Sequence, residues 1–252
     1  MFELSGRRVV ITGAAGGVGQ ALVSRFKSLG ASVVVCDLPE AASRLDDSLE
    51  QHCFDMQDSE AVVAAARDIA AAGSPYCVIS NAGWTRAETF AELDMASLSQ
   101  ELDLNFRGAA QFTGSLLPAM RGRDEGGNFL FIASVNALMH YGNPAYAAAK
   151  AALLAWSRAI ATEEGRHGLR ANVIAPGSIR TPAWDHRIAD DPSVLERVSQ
   201  LYPLGRMVEP EEVANTAAFL CSPLASGITG TVLPVDAGLG AGSLPFIDAI
   251  KA

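Results

Sequence analysis

Short runs of β-branched and apolar residues alternate along this chain with alanine-rich stretches of helical length. Strands are expected at 8–12, 32–37, 52–55, 76–80, 128–133, 169–175 and 231–235. Helical patterns fall between them at 17–29, 59–72, 97–120, 144–164 and 210–221. Pro144 and Pro210 stand at first-turn positions, and Gly30 and Gly73 follow helix ends. Strand and helix in strict alternation imply a mostly parallel sheet with helices on both faces, since parallel strands need a crossover between them. The expected architecture is α/β, a seven-stranded, doubly wound Rossmann-type sheet in one domain spanning 1–252. One stretch breaks the pattern. Residues 179–208 hold Trp184 and a D-D-P turn but no core periodicity, and they follow a strand end directly, so they are expected to form a lid.

Composition narrows the class. The 252 residues are 49 % hydrophobic and 19 % charged, which suits a packed core. A formal net charge of -9 argues against nucleic acid or an anionic membrane surface as partner. The start, M-F-E-L-S-G-R-R, lacks the apolar core of a signal peptide, and no apolar run is long enough to span a bilayer. Cys36, Cys53, Cys77 and Cys221 show neither metal nor redox spacing, and buried, reduced thiols in a cytoplasm are expected.

Candidate chemistry gathers around Tyr146 and Lys150. Four residues apart in a helical pattern, they share one face, with alanines between them. Ser134 follows the apolar run F-L-F-I-A, at the carboxyl end of its strand, where open parallel sheets place their sites. The first strand runs into T-G-A-A-G-G-V-G, so Gly13, Gly16, Gly17 and Gly19, with Val18 among them, sit between strand and helix. Glycines there permit a sharp turn and let backbone amides approach a pyrophosphate at the helix amino terminus. Asp37 ends the second strand, where a carboxylate accepts ribose hydroxyls and repels a 2′-phosphate. Neither Leu38 nor the glycine turn carries a Lys or Arg to offset that, Arg44 being the nearest downstream, so NAD is favoured over NADP.

With these residues the sequence resembles the short-chain dehydrogenase/reductase family from about Arg8 to Gly238. Besides the glycine turn and Y-x-x-x-K, the matches are N-A-G at Asn81 to Gly83, N-x-x-G at Asn105 to Gly108, Ser134, P-G-x-I-x-T from Pro176 to Thr181, and a late V-D-A-G in place of V-D-G-G. The resemblance implies that Tyr146 is the general acid/base, Lys150 its electrostatic partner and ribose ligand, Ser134 the group that orients the substrate oxygen, and Asn105 part of a proton relay. It implies cofactor contacts at Asp55, Met56, Asn81, Ala82, Gly83, Pro176, Gly177, Ile179 and Thr181. An ordinary tyrosine, with a pKa of about 10, is a weak base at neutral pH, and a neighbouring ammonium is expected to lower it.

The expected substrate is a small secondary alcohol or ketone, and the mix of aromatic and hydrogen-bonding groups favours a sugar or polyol. His140, Asn143 and Trp184 join Ser134 and Tyr146 as candidate substrate contacts, and Trp84, Arg86, Met139, Tyr141, His186 and Arg187 could line or cover the pocket. A 3-oxoacyl thioester or steroid ketone reductase is the alternative enzyme, and a dinucleotide sensor without chemistry the alternative class. A hydrolase would need a G-x-S-x-G elbow that is absent, and the dispersed histidines argue against a catalytic metal. Relatives commonly pair their long helices into tetramers, and the apolar tail L-P-F-I-D-A-I-K-A is consistent with a homotetramer.

Overall fold

Seven strands run parallel in the order β3-β2-β1-β4-β5-β6-β7. They are β1 (Arg8–Thr12), β2 (Ser32–Asp37), β3 (Glu50–Cys53), β4 (Cys77–Ser80), β5 (Gly127–Ile132), β6 (Leu169–Pro176) and β7 (Val232–Val235). The computed structural model describes residues 4–85, 89–181 and 184–251. Every pairing among these strands is parallel, so the sheet is more uniform than the mostly parallel one expected.

Alternation along the strands divides the core in two. Val9, Ile11, Val33 and Val35 face α1 (Gly17–Ser28) and α8 (Pro210–Cys221), where Leu22, Phe26, Val213 and Ala217 meet them. Val10, Val34, Val78, Phe129 and Phe131 face the other way, against Ile69 of α2 (Ser59–Ala72), Phe112 and Leu116 of α4 (Gly108–Arg121), and Leu153 of α5 (Pro144–Glu164). Central strands buried on both faces require such near-continuous apolar runs.

Four expectations need correction. The third strand lies two residues earlier than 52–55, because its E-Q-H-C sequence is a polar edge strand without an apolar run to mark it. The helix expected over 97–120 is interrupted: α3 (Met95–Leu102) passes into a π turn at Asp103–Arg107 before α4 begins. The stretch 179–208 contains two short helices, α6 (Asp185–Asp190) and α7 (Val194–Ser199). Cys53 is exposed, while Cys36, Cys77 and Cys221 are buried. Near the carboxyl end, α9 (Leu244–Ala249) was not marked by periodicity.

Candidate active site

Because all strands are parallel, Thr12, Asp37, Ser80, Ile132 and Pro176 end at one edge of the sheet. The order of winding reverses between β1 and β4, and ligands of open α/β sheets bind in the crevice at that point. Two turns are stapled there. The Asn81 side-chain amide donates to the carbonyls of Thr12 and Gly13, both at 3.0 Å, and the Thr12 hydroxyl accepts from the backbone N–H groups of Asn81 and Ala82, also at 3.0 Å. Gly13 has φ +65, and a Cβ at Gly19 would stand 2.0 Å from the Gly13 carbonyl oxygen. The turn therefore closes so tightly that only glycine fits. Beyond it α1 starts at Gly17, with Gly16 before it offering no side-chain cap and no acid in the first turn. An uncapped helix amino terminus facing the crevice fits the pyrophosphate of a dinucleotide, with Gly17 and Val18 offering backbone donors.

Asp37 is held by two backbone donors, Ala15 N–H at 2.7 Å and Leu38 N–H at 2.8 Å. Each oxygen keeps a lone pair, so the carboxylate can still accept from a ribose hydroxyl. Arg44 lines a cavity of about 310 Å³ with Ala14, Gln20 and Lys27, the last paired with Asp46. Asp55 turns back to accept from Gln57 N–H at 2.8 Å, and Asp58 caps α2. Met56 is buried, and its carbonyl lies where a Cβ on Gly108 would come within 2.2 Å, which explains the glycine in N-x-x-G.

The structure brings Ser134, Tyr146, Lys150 and Asn105 together. Ser134 leaves β5 and opens a short 3-10 turn, its hydroxyl accepting from Asn136 N–H at 3.1 Å and hydrogen-bonded to the Tyr146 phenol. Asn136 also donates to Gly142 O at 3.2 Å, tying the loop between serine and tyrosine. Asn143 then takes a left-handed φ of 52 and Pro144 starts α5. One turn in, the Lys150 ammonium lies 5.6 Å from the centre of the Tyr146 ring and donates to Ile132 O at 3.0 Å. Asn105 sits in the π turn, fully buried. Its amide donates to Trp84 O at 2.8 Å and its oxygen accepts from Trp84 N–H at 3.1 Å. A Cβ on Gly83 would fall 2.8 Å from Asn105 Oδ1 and 3.0 Å from Lys150 Nζ, so this glycine lets the two groups approach.

The electrostatics of the protein alone oppose one expectation. Burial pushes the Tyr146 phenol up to about 12, against a lowering by its hydrogen bond from Ser134, and the Glu101 charge pushes it further. Burial pulls Lys150 down to about 8, while Glu101 raises it. Desolvation of both groups thus outweighs the lowering of the phenol expected from the ammonium. Glu101 did not stand out in the sequence. Its only signal there is a carboxylate four residues before Asn105 in a helical pattern.

Around this centre, His140 is exposed and its ring lies 6.5 Å from that of Phe90. The Tyr141 hydroxyl donates to Leu239 O at 3.4 Å. Pro176 ends β6, and Gly177 packs against Tyr202, whose hydroxyl accepts from Ser178 N–H at 2.8 Å. Ile179 bridges to Val208, so the two ends of 179–208 are fastened together. Thr181 accepts from Trp184 N–H at 3.0 Å, and Arg187 lies 5.0 Å from the centre of the Trp184 ring. Trp84 and Met139 are exposed. Arg86 and the side chain of His186 lie outside the described residues. Among the described residues no group of acids, histidines or cysteines could hold a metal ion, and no helix is long and apolar enough to cross a membrane.

Comparison with known proteins agrees with this architecture. Residues 13–240 match the family model described as enoyl-(acyl carrier protein) reductase. An uncharacterized oxidoreductase of Schizosaccharomyces pombe is 38 % identical over 249 residues, covering 99 % of this chain and 96 % of its own. The L-fucose dehydrogenase of Mus musculus is 37 % identical over 245 residues, covering 93 % and 88 %. Among solved structures, an oxidoreductase of the short-chain dehydrogenase/reductase family from Burkholderia thailandensis superposes with a TM-score of 0.90 at 37 % identity, covering 98 % of each chain. L-sorbose reductase from Gluconobacter frateurii, solved with NADPH and L-sorbose, superposes at 0.86 with 30 % identity, covering 94 % and 97 %. The fold and these matches define an oxidoreductase. The chain belongs to the short-chain dehydrogenase/reductase family.

Proposed function

We propose that the protein is an NAD-dependent dehydrogenase of a secondary alcohol, a sugar or polyol, working through Ser134, Tyr146 and Lys150. The observation that carries this reading is the meeting of a Ser134-bonded phenol with a buried ammonium at the carboxyl edge of the sheet, beside an uncapped glycine turn. Gly13, Gly16, Gly17, Val18 and Gly19 would hold the pyrophosphate, Asp37 and Leu38 the adenosine ribose, and Asp55 and Met56 the adenine. Asn81 keeps its turn closed while Ala82 and Gly83 lie alongside the sugar, and Pro176, Gly177, Ile179 and Thr181 face the nicotinamide. Bound NAD supplies the acceptor for the hydride that leaves the carbinol carbon.

Ser134 orients the substrate oxygen, and Tyr146 as phenolate takes its proton. Lys150 stabilises that phenolate and steadies the nicotinamide ribose, and the positive charge of an oxidised nicotinamide nearby would offset the burial that raises Tyr146. Asn105 holds the relay to Lys150 in place. His140, Asn143 and Trp184 contact the substrate, with 179–208 as the lid of this single domain. The names L-fucose dehydrogenase and L-sorbose reductase among the relatives support a sugar-like substrate. Asp37 supports NAD, although the sorbose reductase was solved with NADPH.

A homotetramer in the cytoplasm completes the proposal. The outer face of α4 and α5 carries a shallow depression of about 660 Å³ lined by Phe106, Gly114 and Trp156, and Phe246 and Ile250 of the tail are about two-thirds exposed, which supports burial against further copies. NADH formation over a panel of sugars, polyols and other secondary alcohols, with Tyr146→Phe as control, tests the function. Turnover by the parent, and turnover lower by roughly 10²–10⁴-fold in the variant, is expected. Tight NAD binding with neither turnover of any alcohol nor reduction of any ketone would make the protein a sensor.

A further inference from the structure

Glu101 is a buried carboxylate that the mechanism above does not use. It lies on α3 with 3 % of its surface exposed, one turn before Asn105. Burying a carboxylate costs several kcal/mol unless charge and hydrogen bonds offset it, so its place beside the site requires a reason. The contacts supply one. Asn105 Nδ2 donates to Glu101 Oε2 at 2.7 Å and to Glu101 O at 3.1 Å, as well as to Trp84 O. The π turn begins just after Glu101, and the Asn105 amide within it reaches back to the Glu101 carbonyl. The same asparagine presents its oxygen across Gly83 from the Lys150 ammonium. Carboxylate, amide and ammonium therefore stand in sequence.

We propose that Glu101 is a positioning residue, the counter-charge of the Tyr146–Lys150 pair and the clamp that fixes Asn105 beside it. The inference rests on the tyrosine–lysine reading of the site. Its charge acts on both groups of α5, favouring protonated Tyr146 and protonated Lys150. Of the described groups, Tyr146 and Lys150 on α5 feel its charge, Asp103 on the π turn is paired with the exposed Arg107 at 2.8 Å, and within α3 Glu101 is the titratable side chain. Glu101 thus sets the pH at which the pair gives up a proton. A negative charge beside the pair delays that loss, so the carboxylate keeps the lysine an ammonium at neutral pH and resists premature ionisation of the phenol.

The test uses the full chain and two readouts, one of which needs no substrate. Ultraviolet phenolate absorbance is titrated in the parent and in Glu101→Gln, each corrected with its Tyr146→Phe counterpart, and NADH formation is followed against pH. Glu101→Gln keeps an oxygen acceptor for Asn105 but removes the charge. It is expected to move both the Tyr146 titration and the acidic limb of alcohol oxidation to lower pH by about one unit. Glu101→Asp, which restores a carboxylate, is expected to return both toward the parent, while Asp103→Asn leaves them in place. Carbon-13 NMR of the Glu101 carboxyl in the parent protein, expected to show an ionised group at neutral pH, tests the charge without any substitution. A phenol that ionises at the same pH in parent and Glu101→Gln, or a neutral Glu101 carboxyl at pH 7, overturns the proposal. Absence of turnover with the spectroscopic shift present would instead sink the dehydrogenase reading and leave Glu101's role standing.

Discussion

Asn105 and Trp84 hold each other by reciprocal hydrogen bonds, amide to carbonyl at 2.8 Å and backbone N–H to amide oxygen at 3.1 Å. The pair fastens the loop after β4 to the π turn. Asn105→Ala would remove one hydrogen bond from the Trp84 N–H, one from the Trp84 carbonyl and one from the buried Glu101 carboxylate. A loss of about 1–3 kcal/mol in urea unfolding is expected, with a fall in kcat larger than the change in KM for NAD. A variant as stable as the parent would show that the loop is held elsewhere.

Tyr146→Phe removes the proton acceptor while keeping the ring that packs against Lys150. Turnover is expected to fall by roughly 10²–10⁴-fold, the share that a positioned acid/base usually supplies. NAD binding, measured by quenching of protein fluorescence, should change little.

Asp37→Ala should relax cofactor choice. The ratio of kcat/KM for NADP to that for NAD is expected to rise by at least about tenfold, since a carboxylate facing a 2′-phosphate is removed. Because Asp37 also accepts from Ala15 and Leu38, about 1 kcal/mol of stability should go with it. An unchanged ratio would place the 2′ position away from β2.

Lys150→Met trades activity for stability. Lys150 is lowered from 10.5 to about 8, so between those values the unfolded chain binds more protons than the folded one, and the stability of the parent rises with pH. Below pH 8 the folded protein carries the full cost of a buried ammonium. The inactive variant is therefore expected to be more stable than the parent at pH 7, by about 2 kcal/mol after the lost bond to Ile132 O is allowed for. That advantage should shrink as pH rises from 8 toward 10, which paired urea titrations at the two ends would measure.

Gly19→Ala tests the turn. Its methyl would sit 2.0 Å from the Gly13 carbonyl oxygen, with backbone on both sides and nothing flexible to yield. Destabilisation of about 1–3 kcal/mol and weakened NAD binding are expected together, read from thermal unfolding and fluorescence. Gly16→Ala, where the nearest atom is 3.5 Å away, serves as the tolerated comparison.

The central sheet and the reactive trio were legible because each leaves a mark in residue order. Val-rich runs announce strands buried on both faces, and a tyrosine four residues before a lysine can only share a helical face. The edge strand Glu50–Cys53 was displaced because one side meets solvent and its sequence is polar. The π turn left no trace, since a hydrogen-bond register shifted by one residue alters no composition. Glu101 was hidden by its neighbours. In S-L-S-Q-E-L-D a carboxylate reads as part of a solvated face, and only the packing of α3 against α5 turns it inward. The helices at 185–190 and 194–199 are too short for periodicity to register.

Gly83 bears on how this protein could change. Its missing side chain leaves a space bordered by both an amide oxygen and an ammonium, so a tight tolerance in the centre belongs to a residue with no chemistry of its own. A methyl group there would wedge the two apart while sparing every reactive atom. The chain could then fold, keep its reactive residues and still be silenced, and a comparison of reactive side chains alone would overlook the lesion.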